Sequence, residues 1–348
     1  MKQLVIVCVF MLIFSCKKDN TFTPRDFSKV EVKTILEDST LSIRAIDVLD
    51  DGNLAFAANN NTFGLYNEAI GEWNISKQEY DSLNIQFRAV AHTTSDFFML
   101  SVANPALLFK TSNAGMQLVY QEVHDKVFYD SMIFWNDQEG IAMGDPTHGC
   151  ISIIITRDGG NTWKKVPCGN LPPASEGEAA FAASNTNIAV YGDYTWIATG
   201  GMSSNILYSQ DKGKSWQLFK TPIIQGTSTT GIYSIDFYDA LHGFAIGGDY
   251  TKPDGNINNK MLTNDGGRTW EIVANGETPN YRSCVQYIPN RKGKELVTVG
   301  FKGIDFSNDG GVSWKNISEE GFYTIRFIND STAYAAGSKR ISKLHFKE

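Results

Sequence analysis

The chain has 348 residues, 42% of them hydrophobic, 12% aromatic and 20% charged, and carries a formal net charge of −7. That length suits one large globular domain or two small ones. The acidic balance excludes a basic nucleic-acid-binding surface and reads mainly as solubility.

Residues 1–15 read as a secretory signal. Lys2 supplies the positive start, and Leu4–Phe14 (LVIVCVFMLIF) is an apolar run too short to span a bilayer as a helix. The run ends in IFSC before the polar KKDN. A small residue followed by Cys after such a run resembles a bacterial lipobox. The resemblance implies that Cys16 becomes the lipidated first residue of the mature chain, anchoring it to a membrane surface while the body stays in water. Residues 16–26 then form a polar tether. Similar Lys- and Asp-bearing segments follow the Cys in surface-exposed lipoproteins of Bacteroidetes. The location expected is the cell envelope, with outer-membrane, periplasmic and surface-exposed placements all open.

Residues 27–35 (FSKVEVKTI) form a strand without an obvious partner nearby. From residue 43 a unit begins to recur: a β-branched run A, a turn, a run B ending in Gly, a variable loop, a run C, an Asp–Gly turn, and a run D opening at Trp. Full units start at Phe128, Gly231 and Asn280, and weaker copies start at Ile43, Phe87 and Gly177. The seventh, Phe322–Phe346, has A, B and C and then stops. The lone strand 27–35 supplies its missing fourth, which closes the ring and removes two exposed edges. Four-stranded units of about 40–50 residues are propeller blades. The expected fold is all-β, a seven-bladed β-propeller over residues 27–348 with its N-terminal strand closing the last blade.

The Asp–Gly turns read TRDGGNTW (156–163), SQDKGKSW (209–216), TNDGGRTW (263–270) and SNDGGVSW (307–314). Four copies argue against an active site. Asp158, Asp211, Asp265 and Asp309 are placed to accept hydrogen bonds within their own turns. Trp163, Trp216, Trp270 and Trp314 open strand D and are placed to pack beside the turn. These phrases resemble Asp-box (BNR) repeats. The pattern GIAMG…TRDGGNTW is similar to the blades of sialidases and, more closely, to the propellers of photosystem II assembly factors and their bacterial relatives. The first likeness implies glycoside hydrolysis and the second implies docking of polypeptide.

In such a propeller, strand A lines the central channel, and the ligand mouth lies opposite the Trp turns. Aligning the seven A runs without gaps gives a ring of Arg44, Arg88, Asp130, Glu178, Tyr233, Arg282 and Tyr323. The next position is always small: Ala45, Ala89, Ser131, Ala179, Ser234, Ser283 and Thr324. The arginines either clamp an anion bidentately or are neutralised by the acids of the same ring. B–C loops add Asn104, Asp145, Asp193, Asp249, Tyr250, Lys302 and Ser338–Arg340 to the mouth, with the blade 5 loop as a flap. Asp145, Asp193 and Asp249 each follow a Gly and either cap their loops or face the funnel.

The leading expectation is a binding or assembly module for an anionic glycan or a protein segment. Its ligand groups are Arg44, Arg88, Arg282, Asp249, Tyr250 and Lys302. The alternative is a glycan-cleaving enzyme, either a sialidase-like glycoside hydrolase or a uronate-directed lyase. Its candidates are Glu178, Asp130 and Asp145 as acids, with Tyr233 or Tyr323 as nucleophile. The Arg-Ile-Pro signature of sialidases is absent, and the blade count differs from theirs. No metal cluster or phosphate loop appears, so no cofactor is expected, and the chain is read as a monomer. Cys150 and Cys168 sit symmetrically about the first Trp turn, as a disulfide or as two free thiols; a disulfide is permitted outside the cytoplasm.

Overall fold

The computed structural model describes residues 22–348. The signal segment, Cys16 and residues 17–21 of the tether lie outside the described residues. Seven antiparallel sheets form, six of four strands and one of six. Their innermost strands are Ala45–Val48, Phe87–His92, Tyr129–Asn136, Ile188–Tyr191, Thr230–Phe237, Cys284–Tyr287 and Thr324–Phe327. Each touches the next in order, and the last touches the first. The fold is therefore a seven-bladed β-propeller. Its core is a set of seams between blades, so the middle strands are buried on both faces, as in Leu54–Ala57 and Leu296–Gly300.

The ring closes through the N-terminal strand. Lys29–Ser42 pairs antiparallel with Ser338–Lys347, matching Lys29 to Lys347 and Val32 to Leu344. It runs seven residues past the segment legible in the sequence. The boundary at residue 27 also moves. Residues 22–26, expected as tether, are seated on the propeller: Arg25 gives its backbone N–H and its guanidinium to the buried Glu295 carboxylate, at 2.6–3.0 Å, and bonds the Asp330 carbonyl at 2.8 Å.

All four Trp turns use one hydrogen-bond scheme. In the first, Asp158 accepts the Thr162 N–H at 2.9 Å and both the Thr156 and Thr162 hydroxyls, while Thr156 Oγ1 accepts the Gly160 N–H. Asp211, Asp265 and Asp309 repeat it. Gly160, Gly267 and Gly311 have φ of +75°, +81° and +90°, and each lies against a ring on the preceding blade: Phe98, Trp196 and Phe244. Trp216, Trp270 and Trp314 donate Nε1–H to the carbonyl of their turn glycine. Cys150 and Cys168 are joined as a disulfide with Cα atoms 5.6 Å apart, and Cys284 is a buried free thiol.

Blade 4 departs from the gapless alignment. Its inner strand is Ile188–Tyr191, not the run at Gly177. Tyr191 pairs with Tyr194, so Gly192–Asp193 is the A–B turn, and Asp193 sits at the Trp-turn end, its carboxylate 3.5 Å from Lys212. Pairing of Ile188 with Ile197 and Leu207 matches that of Met132 with Ala142 and Ile154. That register puts Thr186 at the ring position and Asn187 at the small position, in place of Glu178 and Ala179. Glu178–Ala179 instead pairs with Gly200–Gly201, which adds to the mouth end of blade 5.

Candidate functional site

The blade 4 shift fills the axis. Residues 184–186 cross the channel and bond to five other blades. Asn185 donates to the Val90 carbonyl at 2.8 Å and accepts the Met132 N–H at 2.9 Å. Ser184 donates to the Ser283 carbonyl at 2.7 Å, Thr186 donates to Ser234 at 2.8 Å, and the Ser184 carbonyl accepts the Thr324 hydroxyl at 2.9 Å. The small residues next to the ring leave room for this plug. The channel is thus a blind funnel floored by the blade 4 segment.

Above the floor lies a cavity of about 570 Å³ lined by Arg44, Arg88, Asp145, Phe181, Tyr233 and Tyr323, with Tyr250, Tyr281 and Phe301 completing an aromatic wall. Phe181 stacks on Tyr233 at 3.9 Å with planes parallel, and Tyr281 meets Tyr233 edge-on at 4.9 Å. Arg44 lies 4.0 Å over the Tyr323 ring. The Nε of Arg44 is buried and has no partner among the described residues. The side chain of Arg88 makes one bond, a long one of 3.3 Å to the Ala182 carbonyl. Burial, and then the neighbouring Arg44 charge, lower the Arg88 guanidinium to about 10.

One acid, Asp145, lines this cavity, and a second, Asp130, is buried close to Asp145 and Arg88 without lining it. Asp130 is fully buried, and neither carboxylate oxygen has a hydrogen-bond partner by distance and angle. Burial, reinforced by Asp145, pushes its carboxyl well above the usual range against the pull of Arg88, favouring the protonated acid. Asp145 accepts the Ala180 N–H at 2.7 Å, and burial raises it to about 6. Among the described residues neither Arg44 nor Arg88 is ion-paired to a carboxylate, so the ring does not neutralise them by direct contact.

Other candidates fall elsewhere. Arg282 is buried and paired with Asp305 at 2.6 Å inside blade 6, so it does not line the cavity. Glu178 accepts the Ser175 N–H, the Thr199 hydroxyl at 2.6 Å and the Asn205 amide at 2.9 Å, which makes it a loop organiser. Asp249 accepts the N–H and hydroxyl of Thr251, a turn cap. Lys302 is tied to Asp254 of the blade 5 loop at 2.7 Å. The Tyr233 hydroxyl donates to the Thr229 carbonyl at 2.8 Å, with burial raising its pKa, so it has no carboxylate to activate it as a nucleophile. Of the glycosidase set, Asp145, Tyr233 and Tyr323 line this cavity, Asp130 is buried close to Asp145, and Glu178 lines a neighbouring cavity that Asp145 also borders. Sequence reasoning missed Phe181, Tyr281 and Phe301. The usable signal was their position beside the ring: Tyr281 precedes Arg282, and Phe301 follows the Gly that ends strand B. Among the described residues no cluster of three or more His, Cys, Asp or Glu is placed to hold a metal.

The fold and funnel define a class, the seven-bladed β-propellers with a floored central cavity. No family model matches the chain, and no curated protein does. Solved structures do match in fold. YCF48 bound to D1 peptide superposes with a TM-score of 0.66 at 13% identity, covering 94% of this chain and 100% of that one. YCF48 from Cyanidioschyzon merolae gives 0.62 at 12%, covering 91% and 98%. A catalytically inactive virginiamycin B lyase from Staphylococcus aureus with quinupristin gives 0.67 at 14%, covering 91% and 99%. At these identities the likeness is one of fold.

Proposed function

We propose that the funnel binds an extended protein segment, placing an acidic group against Arg44 and Arg88 and an apolar or aromatic side chain against the Tyr233, Tyr250 and Tyr281 wall. One observation carries this reading: two half-buried arginines line a concave aromatic cavity with almost no internal partners, beside an acid whose burial favours its neutral form. An arginine so placed gains most from a bidentate anion. The fold neighbour YCF48 is solved bound to a D1 peptide, which supports a polypeptide occupant over a glycan. We also propose that the four Trp turns are Asp boxes and that the chain is an envelope lipoprotein anchored at Cys16. Five residues separate Cys16 from Phe22, which would hold the body within about 20 Å of the membrane.

The test pans a random peptide library and a glycan array against the intact protein and against Arg44→Ala and Arg88→Ala. The expected result is enrichment of peptides pairing an acid with an aromatic or aliphatic residue. Affinity should fall at least about tenfold in either variant and stay unchanged in the rim variant Asp249→Ala. Binding of acidic glycans alone would move the assignment to a glycan module. Cleaved ligand in the mass spectrum would move it to an enzyme.

A further inference from the structure

A second cavity opens at the opposite, Trp-turn end, between blades 1 and 2. Its origin can be read by comparing seams. In blades 2, 4 and 5, a ring on strand B (Phe98 opposite Lys110, Trp196 opposite Tyr208, Phe244 opposite Leu262) lies beneath the glycine of the next blade's Trp turn. Blade 1 holds Ala55 opposite Leu65 at that register. Blade 2 also lacks the covering turn. Ser112 pairs directly with Gly115, so the connection is only Asn113–Ala114, with no glycine finger and no Trp. Thr111, at the place of Thr156, bonds instead to the Phe97 N–H and to Asp96.

Both halves of the plug are therefore missing from one seam. The result is a groove of about 670 Å³ with an apolar floor that includes Ala55, Phe63, Leu65 and Phe97. Asp50, Asp51 and Asp96 line it, and among the described residues no Lys, Arg or His does, although His92 Nε2 lies 3.5 Å from Asp50. Asp50 and Asp51 are exposed. Asp96 is half-buried and lies 3.2 Å from Lys110.

We propose that this seam is a docking groove for a partner polypeptide segment that presents an aromatic side chain flanked by basic residues. The aromatic requirement comes from the chain itself, which fills the equivalent space with ring-on-turn packing in other seams. The basic requirement comes from the carboxylate rim. An aromatic anchor in a desolvated slot, with charges outside it, is how such contacts concentrate binding energy. The groove lies at the other end of the ring from the funnel, so this inference stands or falls independently of the funnel reading.

The test titrates the intact protein with a capped Gly-Lys-Trp-Lys-Gly peptide, using calorimetry and a fluorinated indole signal. Controls replace Trp by Ala or both Lys by Glu. At up to about 1 mM peptide, the range a single anchored side chain supports, the Trp–Lys peptide should bind at least tenfold better than either control. Ala55→Phe supplies the ring that other seams carry and should weaken binding at least tenfold. Asp50→Lys with Asp51→Lys, both on the surface, should weaken it at least threefold even if the first variant fails to fold. Asp249→Ala, a turn cap at the funnel end of the ring, should leave binding of this peptide unchanged. Equal binding of the Trp and Ala peptides, no binding, or indifference to the surface pair would overturn the proposal. A concentration-dependent dimer abolished by Ala55→Phe would assign the groove to a second copy of the chain and also overturn it.

Discussion

Gly160→Ala tests the seam argument quantitatively. Gly160 has φ +75°, and a Cβ there would run into the Phe98 ring, which is fully buried and packed on Phe134 at 4.7 Å and near Trp163. Gly52→Ala is the matched control: φ is +82°, and nothing lies within 4 Å of the new Cβ. Both changes incur the left-handed backbone cost of about 1–2 kcal/mol. Both recover about 0.4–1 kcal/mol from the stiffer unfolded chain. Gly52→Ala should therefore cost about 0.5–1 kcal/mol net. Gly160→Ala adds overpacking of about 1–3 kcal/mol and should reach about 2–4 kcal/mol. Urea unfolding followed by tryptophan fluorescence reads the difference. A smaller ring tests the cause: in a Phe98→Leu background the extra cost of Gly160→Ala should shrink by at least about 1 kcal/mol. Equal midpoints for the two single variants, or no coupling to Phe98, would refute the idea that the turn glycine is a contact surface between blades.

Three further outcomes follow from other parts of the molecule. The Asp145 carboxyl sits near pH 6 because it is buried, so an acidic segment in the funnel should bind about threefold to tenfold tighter at pH 5.5 than at 7.5; Asp145→Asn should bind tightly at both and lose the dependence. Asp47 bonds His92 at 2.7 Å and raises it to about 9. Its raised pKa gives stability that is whole below about pH 6.5 and is lost as pH rises through 9, about 1–2 kcal/mol after allowance for partial exposure; His92→Gln should flatten that part of the pH–stability curve. Cys168→Ser opens a loop of 18 residues and should cost about 3 kcal/mol in urea; intact-mass alkylation of the unfolded, unreduced body should find Cys284 alone reactive in the parent and gain one thiol in the variant.

The blade count was legible because one turn is written four times, and its Asp, Gly and Trp have local jobs that a sequence displays directly. Ring closure was legible from a strand lacking a partner at one end and a blade lacking a strand at the other. Blade 4 was not. Gly192–Asp193 looks like the Gly–Asp that ends strand B at Gly144–Asp145 and Gly248–Asp249, yet it makes the A–B turn. The segment leading into its inner strand, Ser184–Thr186, is polar because its partners are backbone and hydroxyl groups across the axis rather than apolar neighbours in its own sheet. No local pattern encodes those partners. Arg282 failed for a related reason: its mate Asp305 comes from strand C, and the one hint was a carboxylate inside the run Gly303–Ser307, buried throughout. Arg44 and Arg88 were found by position, but the aromatic wall around them depends on the floor that blade 4 folds across the funnel.

The way Arg25 is seated bears on mechanics. If the chain hangs from a lipid at Cys16, any pull on the body enters through residues 17–24 and meets Arg25 before it meets strand Lys29–Ser42. The Arg291 contacts to Phe22 and Thr23 and the four Arg25 hydrogen bonds to Glu295 and Asp330 then take the load first, with one carboxylate wholly enclosed. The closing strand, whose loss would open the ring, sits behind that clamp. Tension on such an anchor would be delivered to blades 6 and 7 together, and the joint that completes the circle would be shielded from being peeled from its first residue.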